Sequence, residues 1–187
     1  LSDTNRTKTV IIHAPRGTIY DRDKKPLVFN IPGFRKVETG LPAGRQAKLL
    51  SKEESIELLA RGENLDFDSF RQYPQKDAFS HVLGFIGQVS EEELRKVELS
   101  AYRSGDWIGK MGIEKYFEET LKGEDGKQLV EVDSNGKTVR KLGQTDSILG
   151  RDLYTTLDLE LQRKAFNAIK NIEKGAVIIS TPKGEIL

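Results

Sequence analysis

Short apolar runs separated by turn-forming residues dominate the first third of the chain. Residues 9–12 and 27–29 are rich in β-branched and aromatic side chains and predict two strands, with the charged, proline-containing run 23–26 as the turn between them. Residues 31–44 contain two prolines and three glycines and show no sustained period. We expect this segment and residues 67–74 to be irregular.

Two capping boxes predict helix starts in the middle of the chain. A serine followed three residues later by a glutamate occurs at Ser51 and again at Ser90. In this pattern the two side chains cap each other's backbone N–H groups at the first turn of a helix. The first helix is expected to turn Ile56 and Leu59 inward and to end near Gly62.

Apolar residues recur at helical spacing between residues 112 and 121, where the sequence predicts a third helix with Gly123 as the glycine that follows its end. Residues 81–87 are apolar and glycine-containing, and they predict a strand or a turn. The mixture of short strands and short helices indicates an α+β fold, elongated, with a mainly antiparallel sheet.

A β-hairpin is the clearest local signal in the chain. Residues 128–132 and 138–142 are strand-like and flank the dipeptide Asn135-Gly136. Asn-Gly supplies the two positive-φ residues of a type I′ turn, which joins antiparallel strands.

The carboxyl-terminal part predicts another strand at residues 152–156, a helix capped by Asp158, a buried strand at residues 175–179 and a turn at residues 182–184. The expected inner face of the helix consists of Leu161, Ala165, Ala168, Ile169 and Ile172. Because the sequence stops as a further strand begins, we expect the neighbours of strand 175–179 to lie downstream of Leu187. The alternative is that this strand pairs with an earlier one.

Composition and charge exclude several functions. Thirty basic residues balance 29 acidic ones and alternate with them, whereas nucleic-acid binding needs a basic stripe. The chain has no cysteine, and its two histidines, His13 and His81, are too far apart in sequence to suggest a metal site. Gly123 and Gly126 are not followed by the residues of a phosphate-binding loop, so no cofactor is expected.

Membrane segments are not predicted within the sequence. No run approaches the roughly 18 apolar residues that a membrane helix requires, and residues 1–6 are too polar to begin a signal peptide. If the protein is attached to a membrane, its anchor lies outside these residues.

Four stretches together resemble the amino-terminal region of class B penicillin-binding proteins, the monofunctional transpeptidases of bacterial cell-wall synthesis. Each motif is weak by itself, but all four occur in the order found in that family. They are residues 16–22 (Arg-Gly-Thr-Ile-Tyr-Asp-Arg), residues 71–74 (Arg-Gln-Tyr-Pro), residues 109–126 (beginning Gly-Lys-Met-Gly-Ile-Glu) and residues 153–187.

The resemblance implies a non-catalytic pedestal over residues 1–152, followed at residues 153–187 by the first helix and strand of a transpeptidase domain. The intact protein would then cross-link peptidoglycan stem peptides through an acyl-serine intermediate. Its implied partners are a glycan polymerase of the SEDS type and a scaffold protein of the MreC type, and self-association is possible. Its implied place is the periplasmic side of the bacterial cytoplasmic membrane, held there by an amino-terminal helix.

Residues 87–94, Tyr102 and residues 105–109 are more similar to elongation-type members, which act in cell-shape maintenance, than to division-type members. One departure concerns the head of the pedestal. The first motif and Tyr73-Pro74 are separated by about half the usual number of residues. We therefore expect the head to be incomplete around residues 34–66; a genuinely reduced head is the alternative.

The motif residues suggest architecture. Arg16, Asp21, Arg22 and Glu114 are expected to form a partly buried ion-pair network between the first motif and the third helix, because a guanidinium fork can hold a carboxylate through two bonds. Separate surface pairs are the alternative. The complete set of structural motif residues is Arg16, Gly17, Asp21, Arg22, Arg71, Tyr73, Pro74, Gly109, Gly112, Glu114, Gly123 and Gly126.

No catalytic residue is predicted in this chain. A penicillin-binding transpeptidase needs a nucleophilic serine with a lysine one helical turn later. The string Ser-x-x-Lys occurs at Ser134 and Ser180, but both copies lie in predicted turns, and Ser-x-Asn and Lys-Thr-Gly elements are absent. Three alternatives stay open: activity retained by the chain itself, a division-type protein of septal peptidoglycan synthesis, and an unrelated envelope adaptor that shares only the pedestal.

Overall fold

The computed structural model describes residues 6–36, 50–63, 65–95, 102, 106–133 and 138–187. In this part of the chain, nine strands and six α-helices alternate in short segments. The strands are β1 (Arg6–Ile12), β2 (Ile19–Tyr20), β3 (Pro26–Lys36), β4 (Leu65–Gln72), β5 (Ile86–Gln88), β6 (Trp107–Gly109), β7 (Gly126–Val132), β8 (Thr138–Thr145) and β9 (Leu153–Tyr154). The helices are α1 (Lys52–Ala60), α2 (Ser80–Leu83), α3 (Glu91–Leu94), α4 (Gly112–Tyr116), α5 (Glu118–Leu121) and α6 (Leu159–Ile169).

The described strands form three sheets with the orders β1-β7-β8, β4-β3-β2-β9 and β5-β6. All pairings are antiparallel except that of β2 with β9. The expected α+β class with mainly antiparallel strands is therefore confirmed.

The parallel pair extends beyond its two-residue strands. Residues 15–22 lie alongside residues 150–157, and backbone hydrogen bonds join Gly150 to Pro15, Leu153 to Thr18 and Arg22 to Leu157. This ladder connects residues that are more than 130 positions apart in the sequence. It brings the first motif against the segment that leads into α6.

The largest core cluster lies beneath this ladder. Its members come from β2, β3, α2 and the turn before it, the end of α5, and the start of α6 with the residues before it, so distant parts of the chain share one apolar centre. They are Ile19, Leu27, Val28, Phe79, Leu83, Leu121, Leu157 and Leu159. Removing apolar surface of this kind from water is the main favourable term in folding.

Most strand predictions are confirmed, and four expectations are wrong. Residues 31–36, expected to be irregular, belong to β3, and residues 81–83, expected to form a strand or a turn, belong to α2. Residues 67–74 were expected to be irregular, but residues up to Gln72 belong to β4, which pairs with β3 along eight residues. Residues 175–179 were expected to form a buried strand, yet they form none, and Ile178 is 80% exposed. The hairpin of β7 and β8 is present. Its predicted type I′ turn at Asn135 and Gly136 lies outside the described residues.

The helix starts are confirmed, whereas the expected inner face of the first helix is wrong. Ser51 and Ser90 both form complete capping boxes, and Asp158 caps α6. However, α1 buries Ser55 and leaves Ile56 and Leu59 59% and 49% exposed.

The third predicted helix is divided at Phe117 into α4 and α5. Gly123 does not take the left-handed conformation that ends many helices; α5 ends at Lys122 in an extended conformation. On α6, Ile172 of the expected inner face follows the end of the helix and is mostly exposed. Residues 37–49, within the expected gap of the head, lie outside the described residues. Among the described helices, none is long and apolar enough to cross a membrane.

Candidate functional site

Glu114 on α4 is the centre of a buried polar cluster. Its side chain has no exposed surface, although an isolated carboxylate is costly to bury. Three donors compensate for the loss of water: Arg71 Nε lies 2.8 Å from Oε1, Arg16 Nη2 lies 3.0 Å from Oε2, and Tyr73 donates its hydroxyl to Oε1 over 3.3 Å. The first three motif stretches thus meet at one carboxylate.

Glu118 on α5 holds the other side of the Arg16 guanidinium. Arg16 donates from Nη1 and Nη2 to the two carboxylate oxygens, at 3.1 and 2.8 Å, in a bidentate pair. The same carboxylate accepts the backbone N–H of Gly109 at 2.8 Å and the hydroxyl of Tyr102 at 3.1 Å. Glu118 therefore joins β6, α5 and the first motif.

Arg71 at the end of β4 extends the cluster to the backbone. Its Nη1 donates to the carbonyl oxygen of Gly17 at 2.7 Å and to Oδ1 of Asn30 at 3.2 Å. Asn30 in turn donates to the carbonyl oxygen of Arg16. Tyr73 accepts the N–H of Ile86 at 3.1 Å, so β5 is attached as well.

The four charges of the cluster cancel one another. Arg16 and Arg71 face Glu114 and Glu118, and we call these four residues the ion-pair network. Burial lowers the pKa of Arg16, but the hydrogen bond and negative charge of Glu118, with those of Glu114, raise it more. Burial, together with the neighbouring carboxylates, raises the pKa of Tyr73 and of Tyr102. Arg16 therefore stays charged and the two tyrosines stay neutral near neutral pH, which suits a structural role.

Motif glycines allow the backbone to pack closely around the network. A β-carbon at Gly17 would lie 1.9 Å from the carbonyl oxygen of Arg151, far inside van der Waals contact. Gly112 has a φ of +60° and faces the carbonyl oxygen of Val82 at 2.5 Å, so it is restricted by both conformation and space. A β-carbon would also meet a backbone oxygen at 2.1, 2.2 and 2.4 Å at Gly109, Gly123 and Gly126.

Comparison with known proteins assigns this arrangement to a family. The family model of the penicillin-binding protein dimerisation domain matches residues 45–155, which include Arg71, Tyr73, Glu114 and Glu118. The chain belongs to this family. The match ends one residue after β9.

Two curated relatives share this domain at low identity. The chain is 28% identical over 228 residues to the peptidoglycan D,D-transpeptidase MrdA of Acinetobacter baumannii, covering 100% of this chain and 34% of the relative. It is 27% identical over 231 residues to the protein of the same name from Escherichia coli K12, covering 97% of this chain and 36% of the relative. The chain thus spans about a third of their length. Both aligned lengths exceed its 187 residues, so the relatives have residues that this dimerisation-domain chain lacks.

Solved structures have the same fold. One is the complex between the penicillin-binding protein PBP2 and MreC from Helicobacter pylori, with a TM-score of 0.70 and 22% identity over 97% of this chain and 42% of that chain. Another concerns the coordination of polymerization and crosslinking by a peptidoglycan synthase complex, with a TM-score of 0.64 and 25% identity over 91% of this chain and 33% of that chain.

Not every predicted motif residue of the dimerisation domain reaches the network. Asp21 lies in the turn before β3, where its Oδ1 accepts the N–H groups of Asp23 and Lys25 at 2.8 and 2.7 Å. Arg22 has an exposed side chain and takes part through its backbone N–H, which bonds to Leu157. The expected four-residue network is therefore corrected in two of its members. Pro74 begins the turn that leads to α2.

Three residues of the site were missed. Glu118 follows Glu114 at i+4, a spacing that places two side chains on the same side of a helix, and this spacing is the signal that could have identified it. Asn30 lies between the predicted strand 27–29 and the segment 31–44, and no role was predicted for it. Tyr102 was noticed only as part of a subtype pattern, and its hydroxyl bond to Glu118 depends on the tertiary fold.

The Ser-x-x-Lys string at Ser180 lies at a bridge and a turn rather than on a helix. Ser180 bridges to Ile186, and the residues up to Gly184 form a turn, as the sequence predicted. The copy at Ser134 lies outside the described residues. Among the residues that the structure describes, no group of three metal-ligating side chains occurs. The ion-pair network thus connects the motif segments in the interior, with no net charge.

Proposed function

We propose that this chain is the non-catalytic pedestal of an elongation-type penicillin-binding protein. The observation that carries the proposal is the ion-pair network: motif residues from three separate stretches pair with one another in the interior of a domain of this family. A network whose charged groups are paired with each other stabilises the contacts between the segments that carry them.

The domain boundary is part of the proposal. Residues 1–152 form the pedestal, and residues 153–187 begin a transpeptidase domain. The family match ends at residue 155, and Asp158 starts a new helix soon afterwards. Ile172, Val177 and Ile178 beyond that helix are exposed apolar side chains, which suits a segment whose packing partners belong to the rest of a larger domain.

The parent protein is proposed to be a serine-type peptidoglycan D,D-transpeptidase that acts in cell-wall synthesis and cell-shape maintenance. The relatives' name, peptidoglycan D,D-transpeptidase MrdA, supports the activity, and the likeness to PBP2 supports the elongation type over the division type. The chain described here contributes no catalytic group to this proposal. Acylation would take place on a serine in the remainder of the parent.

The partners are proposed from the solved structures that share the fold. One contains MreC, and the other is a peptidoglycan synthase complex in which polymerization and crosslinking are coordinated. We therefore propose an MreC-type scaffold and a SEDS-type glycan polymerase as partners of the parent. They would meet it on the periplasmic side of the cytoplasmic membrane, where an amino-terminal helix would anchor it.

A fluorescent penicillin tests whether the catalytic serine lies in the remainder of the parent and not in this chain. We expect the parent protein to be labelled covalently and the 187-residue chain to stay unlabelled at the same concentration. Covalent labelling of the chain would overturn its non-catalytic role, and absence of labelling of the folded parent would overturn the proposed activity.

A further inference from the structure

The sheet β1-β7-β8 joins the ladder of residues 15–22 and 150–157 at one end. Its three strands pair with one another but make few contacts with the other described helices and strands. The chain leaves the sheet after Ile12, which pairs with Gly126, and then enters the first motif. We call residues 13–14 and 123–125, which lie at this end of the sheet, the joint. Because the sheet has few other contacts, its position relative to the core depends on the joint.

The backbone is closely packed at the joint. A β-carbon at Gly123 would lie 2.7 Å from the β-carbon of Ala14 and 2.2 Å from the carbonyl oxygen of Ile148. Glu124 and Ile148 exchange two backbone hydrogen bonds of 2.9 and 2.8 Å. Three segments of the chain therefore meet here, and a change in their separation displaces the sheet relative to the ladder.

A pair of ionisable side chains crosses the joint. Nδ1 of His13 lies 3.3 Å from Oδ2 of Asp125, and Oδ1 of the same carboxylate accepts the backbone N–H of Ala14 at 2.9 Å. The two side chains are 30% and 33% exposed, so they can exchange protons with the solvent. Burial raises the pKa of Asp125, but the hydrogen bonds from His13 and Ala14 and the charge of Lys122 lower it more. This carboxylate is therefore ionised at neutral pH.

The charges around His13 favour its protonated form. The charged and titratable groups that line a cavity with it come from the first motif, from β4 and the residue after it, from the residue before β6 and from the end of α5. Besides Asp125, they are Arg16, Asp68, Arg71, Tyr73, Asp106 and Lys122.

Most of these groups balance one another. Arg16 and Arg71 are paired within the ion-pair network, and Tyr73 is neutral. Glu124 and Lys127, on either side of Asp125, are exposed and of opposite charge. Lys122 is then the one cation beside three aspartates, of which Asp68 and Asp106 have further partners of their own. An excess of negative charge thus faces the imidazole and stabilises its protonated form.

We propose that the His13–Asp125 pair is a pH-sensitive switch in the joint. When His13 is protonated, two opposite charges hold the β1-β7-β8 sheet against the ladder. When His13 is neutral, the Coulomb attraction is lost and the joint opens more often. The imidazole of histidine ordinarily releases its proton at about pH 6.5, so the switch operates close to neutral pH.

The direction of the effect follows from proton binding. His13 holds its proton more tightly beside the carboxylate than in the open joint, so the attraction is complete below about pH 6.5 and is lost as the pH rises. At the acidic end it is lost when Asp125 becomes protonated, below the ordinary carboxyl pKa of 3.8. The attraction is therefore confined to mildly acidic and neutral pH.

The consequence for the parent rests on the proposed function, whereas the switch itself does not. In the proposed parent an amino-terminal anchor precedes β1, so the joint lies between the anchor and the core of the pedestal. A fall in pH on the periplasmic side would stiffen this connection, and a rise in pH would loosen it.

The first test is a titration of the His13 imidazole by nuclear magnetic resonance in the 187-residue chain. Asp125→Asn should lower the midpoint of this titration by about half a pH unit or more, because it removes the opposite charge. The asparagine oxygen can still accept the N–H of Ala14, so the backbone contact is kept. Glu124→Gln is the matched control: it removes the neighbouring, exposed negative charge and should shift the midpoint much less.

Hydrogen exchange tests whether the pair controls the joint. The amide of Ala14 reports on the Asp125 carboxylate, and the amide of Glu124, which is bonded to Ile148, reports on the joint itself. After correction for the intrinsic rates, both should be protected about threefold or more less well at about pH 7.5 than at about pH 5.5. In His13→Gln this difference should disappear. The amide of Gly17, bonded to Leu121 in the core, should keep the same protection at both pH values.

Two results would overturn the switch. One is an unchanged His13 midpoint in folded Asp125→Asn, and the other is equal protection of the Glu124 amide at both pH values in the wild-type chain. The second result decides even if the aspartate variant fails to fold. Penicillin labelling of the parent is independent of both: a labelled parent with a pH-insensitive joint keeps the proposed function and rejects the switch.

Discussion

At the scale of single residues, the most consequential side chain is Glu114. Its carboxylate lies in the interior with one guanidinium on each oxygen, and the second carboxylate, Glu118, balances the remaining charge. A buried ion pair adds little net stability when compared with apolar residues of the same shape, but loss of one partner leaves an uncompensated charge. The network therefore makes correct assembly of the motif segments a condition for folding.

Replacement of Glu114 by glutamine should lower the free energy of unfolding by about 3–5 kcal/mol, because Arg71 and Arg16 would keep their buried charges without the central carboxylate. Arg16→Ala should lower the melting temperature clearly for the same reason. Urea denaturation followed by circular dichroism measures the change in free energy, and thermal denaturation measures the change in melting temperature.

The control is Glu119→Gln, the same chemical change at an exposed position of α5. It should alter the free energy of unfolding by less than about 0.5 kcal/mol. If the two glutamine variants were equally stable, the network would be no more than a set of surface pairs.

The central contact of this site could be predicted from the sequence, but not all of its residues could. Arg16 and Glu114 were proposed as partners from their motifs, and the structure places them 3.0 Å apart. Asp21 and Arg22 were assigned to the same network because a charged residue in a motif does not reveal where its side chain points. The Asp21 carboxylate instead accepts hydrogen bonds within its own turn, from the backbone N–H groups two and four residues later.

At the scale of elements, local signals predicted the starts of helices better than the strands of the central sheet. Capping boxes and Asp158 act within one turn, so sequence suffices to recognise them. In contrast, residues 31–36 of β3, which include Pro32 and Gly33, were expected to be irregular. From Phe29 onward β3 pairs with β4 alone among the described strands, and a proline is tolerated where one edge of a strand is unpaired.

Helix α3 should show a defined dependence on pH. Hydrogen bonds from Lys110 and from the backbone of Ser90 lower the pKa of Glu93 from 4.5 to about 2. Because the folded-state pKa lies below the unfolded value, this contribution to stability is complete above pH 4.5 and is lost as the pH falls towards 2.

The measurement is the free energy of unfolding at several pH values between 6 and about 2 for the wild type and for Glu93→Gln. The difference between the two proteins should shrink as the pH decreases through this window. A difference that stays constant down to pH 2 would exclude the Lys110 contact as its source.

Gly112 tests the close packing of α4 against α2. Gly112→Ala should destabilise the domain by about 1–3 kcal/mol, since a left-handed backbone and a carbonyl oxygen 2.5 Å away both oppose a β-carbon. Gly143→Ala on β8, where a β-carbon has open space, should have little effect. Thermal unfolding of the two variants compares them, and equal melting temperatures would contradict the packing argument.

At the scale of the whole molecule, the first motif and the segment before α6 form one unit. The ladder between residues 15–22 and 150–157 lies over the core and next to the network, so the two ends of the pedestal are joined. This long-range parallel pairing was not predicted, because sequence patterns identify strands but not their distant partners. The exposed segment 175–179 shows the opposite error: its apolar run resembles a buried strand, yet it has no sheet to join.

Hydrogen exchange should separate these two regions. The amides of Gly17, Leu153 and Thr155, which are bonded across the ladder or to Leu121, should exchange slowly, and those of Val177 and Ile178 should exchange rapidly. In the parent protein the amides of residues 176–179 should become protected, since they would belong to the sheet of the next domain. Rapid exchange there in the parent would contradict the proposed domain boundary.

The central claim is that the motif residues are architectural, and the acylation rate of the parent tests it most directly. The second-order rate of labelling by a fluorescent penicillin is measured for wild-type parent and for its Glu114→Gln variant, under conditions where circular dichroism shows both to be folded. The account predicts equal rates per folded molecule together with a lower unfolding free energy of the variant. A fully folded variant with unchanged stability and a strongly reduced acylation rate would contradict it.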